Sequence, residues 1–475
     1  MTLRPPRLFR FHPGTRLASR SAVRQRPANP GHRPAAMLAS ACAVVLGALW
    51  ASPLQAAPLL LISLDGLRPA DVLDAKARGL DLPNLRRFVT EGSYATAVEP
   101  VTPSLTYPNH TTLITGVDPA RHGIINNLTF DPFAKNDRGW FWYSEDLKVA
   151  TLWDAASAKG YTTANVHWPV SVGAHIDFNL PQWWHTGLAD DAKLLRAVGT
   201  PGLQAGLEAQ LGAYADGIDE SLSGDENRAR FAVRLLQERK PWFMTAYFTA
   251  LDHNQHEFGP DSPEAKAVLT RLDALVGRVV TAAKAAHPDA VIALASDHGF
   301  LKVEHDVNLY GAFIKAGLIT LEGGKVKSWD ATPWYGGGSA AIVLRDPADA
   351  AVRARVQALL NALKDDPANG IARVIDRDAL AALHANPLAD YWVDFLPGWE
   401  MGTDPTAALV SPAKLKGMHG FDSSLPEMQA TFLIMGPGIP AGHDLGKVKM
   451  RDVAPTLAHR LDVSLPQAQG HDLLP

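Results

Sequence analysis

The chain has 475 residues, 47% of them hydrophobic and 20% charged, enough to bury a large core in one big domain or in two to three ordinary ones. Its formal net charge is −4, but residues 1–56 hold eight Arg and no Asp or Glu, and the remainder carries 37 basic against 49 acidic side chains, a balance of −12. A body that acidic is unsuited to gripping a nucleic-acid polymer, and its one cysteine, Cys42, lies in the basic leader, which excludes disulfides, thiol catalysis and a cysteine-modifying sulfatase site from a mature chain.

The leader comes first. Arg-rich residues 1–36 precede an apolar stretch from Met37 to Trp50, and Leu54-Gln55-Ala56 offers a small-residue cleavage site. This reads as a signal segment of residues 1–56, and Met37 is an alternative start. The apolar run is too short, and too promptly followed by Pro53, to predict a stable membrane span after cleavage. Export is expected, with the periplasm as the compartment in a Gram-negative host.

Residues 57–475 read as one α/β domain. Pro58 to Leu64 is an unbroken apolar run ending in Asp65-Gly66. Trp242 to Leu251 is another, ending in Asp252, and Ala290 to Ala295 leads into Ser296-Asp297-His298-Gly299. Continuous apolar runs bounded by turns suit strands buried on both faces of a parallel sheet. Helical spacing lies between them, as in Glu264 to Ala286. The expectation is a doubly wound, mostly parallel sheet, with ligands gathered at the carboxyl ends of its strands. Residues from about 311 to 410 read differently. Ala340–Leu344, Ala372–Asp376 and Tyr391–Phe395 are strand-like and Ala350–Leu363 is helical, which predicts an inserted α+β subdomain. A core strand over Ala430–Met435 and a final helix over Arg451–Leu461 follow.

The chemistry-bearing residues sit in the turns. Asp252 and His256 are one helical turn apart, so both can face one ion if that segment is helical. Asp297 and His298 are adjacent and would diverge in a regular strand, so a turn at Gly299 is needed to bring them together. Between Val101 and Thr111, Pro108 is positioned to start a helix that Gly116 ends. Thr106 then sits just before a helix N-terminus, where backbone N–H groups favour an oxyanion. The alternative is that this hydroxyl is only an N-cap. Tyr107 and Trp168 are candidates to wall a pocket or stack a base, as is the Gln182-Trp183-Trp184-His185 stretch; core packing is the competing reading for each Trp. Asn109, His110 and His122 read as turn-holding residues. Trp334-Tyr335-Gly336-Gly337-Gly338 reads as a mobile turn over the cleft.

Taken in order, Leu64-Asp65-Gly66, Thr106-Tyr107-Pro108-Asn109-His110, His122-Gly123-Ile124-Ile125-Asn126-Asn127, Asp252-x-x-x-His256-x-x-Gly259-Pro260, Ser296-Asp297-His298-Gly299 and Gly417-Met418-His419-Gly420 resemble a bacterial member of the ectonucleotide pyrophosphatase/phosphodiesterase family, in the alkaline phosphatase superfamily. The resemblance spans roughly residues 58 to 475. It implies two Zn²⁺ per chain. Asp65, Asp297, His298 and the nucleophile Thr106 would hold one, and Asp252, His256 and His419 the other. Asn127 would donate to a phosphoryl oxygen. The implied mechanism has two displacements through a phosphothreonine. The expected substrate is a small phosphodiester or nucleotide anhydride. A non-nucleotide diester, a phosphomonoester or a phosphonate remain alternatives, as does a metal-binding protein without activity.

Overall fold

A computed structural model describes residues 56–474 except 137–138, 184–189 and 216–218. The leader therefore lies outside the described residues, as do Trp184 and His185 of the candidate wall. Among the described residues no helix is long and apolar enough to cross a membrane.

The central sheet has eight strands. From one edge they are His443–Asp444, Ser93–Tyr94, Phe432–Met435, Val291–Ala295, Leu59–Leu64, Phe243–Phe248, Thr163–Val166 and Phe178–Leu180. The last five of these run parallel to one another, and Phe432–Met435 pairs antiparallel with Val291–Ala295. Mixed sheets of this kind are common where one edge of a parallel sheet is extended.

The unbroken apolar runs have a simple cause. Leu60, Ile62 and Leu64 point into one core, shared with the helices Leu222–Arg239 and Pro263–Ala286. Leu59 and Leu61 point into the other, shared with Thr106–Thr115 and Val453–Leu461. Side chains alternate along a strand, so a strand covered on both faces must be apolar at every position. The long helix Pro263–Ala286 buries Val268, Leu269, Leu272, Leu275, Val276, Val279 and Val280, the three- and four-residue spacing of one face. Ser262 caps it by accepting from the Ala265 N–H, and Pro263 occupies its first turn.

The register aligns the strand ends. Leu64 lies beside Phe248, and Ser63 beside Ala295. Asp65, the turn after Phe248 and the turn after Ala295 therefore leave the sheet at one edge. The run from Trp242 divides there. Phe243–Phe248 is the strand, and Ala250–Phe258 is already a helix, so Asp252 stands in a first helical turn and not at a strand exit. The 311–410 region holds a four-stranded antiparallel sheet, Ala331–Tyr335, Ser339–Leu344, Tyr391–Phe395 and Ile371–Asp376, with the helix Ala350–Asp365 beside it. The predicted end of the chain begins with a short 3-10 turn, Met450–Asp452, before the helix Val453–Leu461.

Candidate active site

Two groups of metal-type side chains gather at this edge. Asp65, Asp297 and His298 form one and Asp252, His256 and His419 the other, with the donor atoms of each group within 4.8 Å of one another. In the first, His298 Nε2 lies 3.0 Å from Asp297 Oδ2 and 3.4 Å from Asp65 Oδ1. In the second, His256 Nε2 is 3.3 Å from Asp252 Oδ2, and His419 Nε2 is 3.8 Å from Asp252 Oδ1. The groups abut, because the rings of His298 and His419 stack with centroids 3.7 Å apart and planes 10° from parallel.

The buried carboxylates fit a cation at each group. Asp65 Oδ1, Asp252 Oδ1 and Asp297 Oδ2 are buried with no hydrogen-bond partner. Such atoms are costly unless paired with a charge. The imidazoles are prepared as ligands in the same way. Nδ1 of His298, His256 and His419 lies 3.1, 2.9 and 3.1 Å from the backbone carbonyls of Gly299, Gly417 and Ser104. A carbonyl only accepts, so each Nδ1 carries a hydrogen, and each Nε2 is the ring atom that faces its group.

Charge within the groups is uneven. Burial pushes the Asp65 carboxyl well above its ordinary range, reinforced by repulsion from Asp297 and Asp252. Burial also acts on Asp297, but His298 and His110 outweigh it and hold that carboxyl well below the usual range. His256 is desolvated yet pushed up to about 9 by Asp252. Burial, with the His298 ring against it, lowers His419 to about 3. Clustered carboxylates and imidazoles with opposed shifts mark a site built for charge.

Thr106 lies beside the first group. It is the first residue of the helix Thr106–Thr115, which starts two residues before Pro108, the start read from the sequence, and Gly116 ends that helix with a φ of 70°. The N-cap residue, Leu105, makes no side-chain capping bond, and the Thr106 Oγ1 lies 3.3 Å from His298 Nε2. The hydroxyl is not spent as an N-cap. The Tyr107 N–H, among the first free N–H groups of the helix, donates to Asn127 Oδ1 at 2.9 Å. That bond fixes which end of the amide is used and leaves the Asn127 NH₂ for other acceptors.

Thr106, Asn127, Asp65, Asp252, His256 and His419 all line one cavity of about 310 Å³. Its other walls include Tyr107, Leu128, Trp140, Glu220, Tyr335 and Met418, and no Lys or Arg lines it among the described residues. Tyr107 borders the cavity but is fully buried, its hydroxyl donating to Gln182 Oε1 and its ring 5.2 Å from that of Trp140. Trp168 does not line the cavity. It is fully buried, edge-on to His110 and Trp153, and so packs behind the Thr106 helix. The glycine-rich 334–338 segment is pinned and not loose: the Gly338 N–H donates to His419 O and the Met401 N–H to Gly337 O. Gly299 is required for a reason other than a left-handed turn. A Cβ there would stand 1.9 Å from the Glu427 carbonyl oxygen.

Further side chains support the groups, and one of them, Tyr247, carries no sequence signal. The Tyr247 hydroxyl donates to Asp65 Oδ2 from inside an apolar strand. His110 reaches Ser63, the Thr106 carbonyl and Asp297, the last at 3.4 Å. Asn109 holds the preceding turn by accepting from the Val101 N–H and donating to the Pro103 and Leu105 carbonyls. His122 is buried, lowered to about 3 by desolvation, and bonded to Thr112, which makes it a neutral structural ring.

Comparison with known proteins agrees with this arrangement. A family model described as type I phosphodiesterase / nucleotide pyrophosphatase matches residues 59–422. The human bis(5'-adenosyl)-triphosphatase ENPP4 is 24% identical over 417 residues, covering 85% of this chain and 78% of that protein. Human ectonucleotide pyrophosphatase/phosphodiesterase family member 1 is 26% identical over 402 residues, covering 81% of this chain and 38% of the longer relative. Among solved structures, human ectonucleotide pyrophosphatase/phosphodiesterase 5 superposes with a TM-score of 0.61 at 19% identity over 87% of this chain and 96% of that one. Its murine counterpart, an inactive threonine-to-alanine variant in complex with AMP, gives 0.62 at 20% identity over 87% and 97%. At that identity the likeness shows the fold, a central mostly parallel sheet flanked by helices. The family match, over most of the chain and across both side-chain groups but the chain's end, places the protein among the hydrolases of the type I phosphodiesterase / nucleotide pyrophosphatase family, to which it belongs.

Proposed function

We propose that the protein is an exported two-zinc enzyme that hydrolyses small phosphodiesters or nucleotide phosphoanhydrides through a phosphothreonine at Thr106. One observation carries this: a buried threonine hydroxyl in the first turn of a helix, beside one group of carboxylates and oriented imidazoles and in one cavity with a second. Asp65, Asp297 and His298, with Thr106, would hold one ion, and Asp252, His256 and His419 the other. The donor set of imidazole nitrogens and carboxylate oxygens favours zinc. When bound, the two ions supply Lewis-acid chemistry that favours the ionised threonine and offsets charge on the entering and leaving oxygens.

The chain's own residues do the rest. Thr106 Oγ1 attacks phosphorus, and the bond to the leaving oxygen breaks. Water then displaces Thr106 from phosphorus and restores the hydroxyl. The Asn127 NH₂ donates to a phosphoryl oxygen, because its carbonyl end is held by Tyr107. The positive end of the helix dipole favours negative charge at Thr106. With an amide in place of a lining Lys or Arg, the pocket suits a diester better than a monoester, which carries one more charge. Nucleotides are the favoured class, since relatives are named for them and the matching murine structure is in complex with AMP. A nucleoside 5'-monophosphate is then the product. Tyr107 borders the pocket beside the nucleophile. We read residues 57–475 as the catalytic domain with an α+β subdomain inserted at about 311–410, and 1–56 as a cleaved leader.

Turnover of a chromogenic nucleotide diester, a bis-aryl phosphate diester and the matching monoester tests this. The nucleotide diester is expected to be fastest. A monoester preference would sink the diesterase reading, and equal diester rates would remove the nucleotide pocket.

A further inference from the structure

The helix Ala250–Phe258, which carries Asp252 and His256, starts without a cap of its own. Its N-cap Thr249 has α-type backbone angles and makes no side-chain capping bond. The free N–H groups are satisfied from a different helix. Asp225, in the first turn of Leu222–Arg239, accepts from the Thr249 N–H at 3.2 Å and the Ala250 N–H at 2.8 Å. A carboxylate at that point also complements the positive end of the helix dipole.

Asp225 is in turn held by Arg228, and both side chains are fully buried. Arg228 Nη1 donates to Asp225 Oδ1 at 2.9 Å and to Thr249 Oγ1 at 3.3 Å. Its Nη2 donates to the Asp219 carbonyl, next to Glu220. Glu220 lines the cavity and faces His253 Nδ1, on the same ligand helix, at 3.6 Å. One ion pair therefore joins three things: the start of the ligand helix, the chain that carries a cavity wall, and the helix behind them. A buried ion pair is weak evidence for stability and is best explained where it fixes geometry.

We propose that Asp225 and Arg228 are positioning residues for the group Asp252, His256 and His419, setting the start and direction of the helix that delivers two of its three ligands. This rests on reading that group as a metal site. The bonds they make to the ligand helix are to Thr249 and Ala250, and they act through these. Residues that orient metal ligands typically change metal affinity by about 10- to 100-fold when removed.

Zinc titration of the full chain against a chelating indicator tests the proposal. Wild type is expected to bind two equivalents. Asp225→Asn is expected to weaken one equivalent by about 10- to 100-fold and leave the other within about twofold. The weakened equivalent should be the one lost in Asp252→Ala, so adding Asp225→Asn to Asp252→Ala should not alter the zinc that remains. A double variant, Asp225→Asn with Arg228→Gln, removes both charges of the pair and should show the same selective loss with native circular dichroism. Equal weakening of both equivalents, no weakening, or failure of the double variant to fold would overturn the positioning role. Fewer than two equivalents on wild type would remove the two-metal reading itself.

Discussion

Tyr247→Phe isolates a single hydrogen bond beneath the first ligand group. The Tyr247 ring packs 4.5 Å from His110 and lies nearly parallel to His167, with centroids 5.8 Å apart. Phenylalanine keeps those contacts and removes only the hydroxyl. That hydroxyl donates to Asp65 Oδ2, and the other oxygen, Oδ1, has no hydrogen-bond partner. Asp65 is 3% exposed, so water does not replace the lost donor. A hydrogen bond to a charged group is worth about 1.5–3 kcal/mol, and loss of a bond that orients a metal ligand lowers affinity about 10- to 100-fold, or about 1.4–2.8 kcal/mol. The two scales agree. Calorimetric zinc titration with a competing chelator should show one of two equivalents weakened by that factor, with the other unchanged. Wild-type affinity for both equivalents in a folded variant would refute the reasoning, since Asp65 would then need neither this bond nor the orientation it gives.

Thr106→Ala should lower turnover of a nucleotide diester by roughly 10⁴-fold or more while folding and most zinc are retained; wild-type turnover would show that the nucleophile is elsewhere. Asn127→Ala should cost about 10²-fold in kcat, and a change confined to KM would mean that the amide binds ground state and transition state alike. For His256, folded pKa about 9 against an ordinary 6.5, the ion pair with Asp252 stabilises the zinc-free chain fully below about pH 6.5 and loses that contribution as pH rises through 9. Zinc must displace the proton, so affinity at that group should rise between pH 6.5 and 9. Calorimetry at pH 7 in buffers of different ionisation enthalpy should detect about one proton released per zinc there, and a pH-independent affinity would contradict this.

The parallel sheet was legible because strands covered on both faces have no polar positions, so Leu59–Leu64, Phe243–Phe248 and Val291–Ala295 appear as apolar runs. The gathering of the two side-chain groups was legible in part, because Asp65 and Asp297-His298 follow such runs and His419 stands in a short Gly-marked motif. The helical start at Ala250 was hidden, because Thr249 gives no usable cap and the capping carboxylate, Asp225, is distant in sequence. Tyr247 was hidden for a related reason: one hydroxyl in a core strand does not disturb the apolar pattern. Trp168 was misplaced in the pocket because aromatic type says nothing about side, and its position behind the Thr106 helix depends on the path of the chain after Val166. Likewise the 334–338 glycines suggested looseness, whereas close approach of the His419 segment is what requires Gly337 and Gly338.

The stacking of His298 on His419 has a temporal meaning. The first group is complete once residue 298 has been made, whereas the second lacks a ligand until residue 419 emerges. The ring that separates the groups thus arrives from a part of the chain synthesised much later, across a long loop that closes slowly. A partly folded chain can assemble one pole of the site and never both. A truncation before Gly417 would leave Asp252 and His256 open to solvent on the side that His419 covers, with half a metal centre and no assembled reaction chamber.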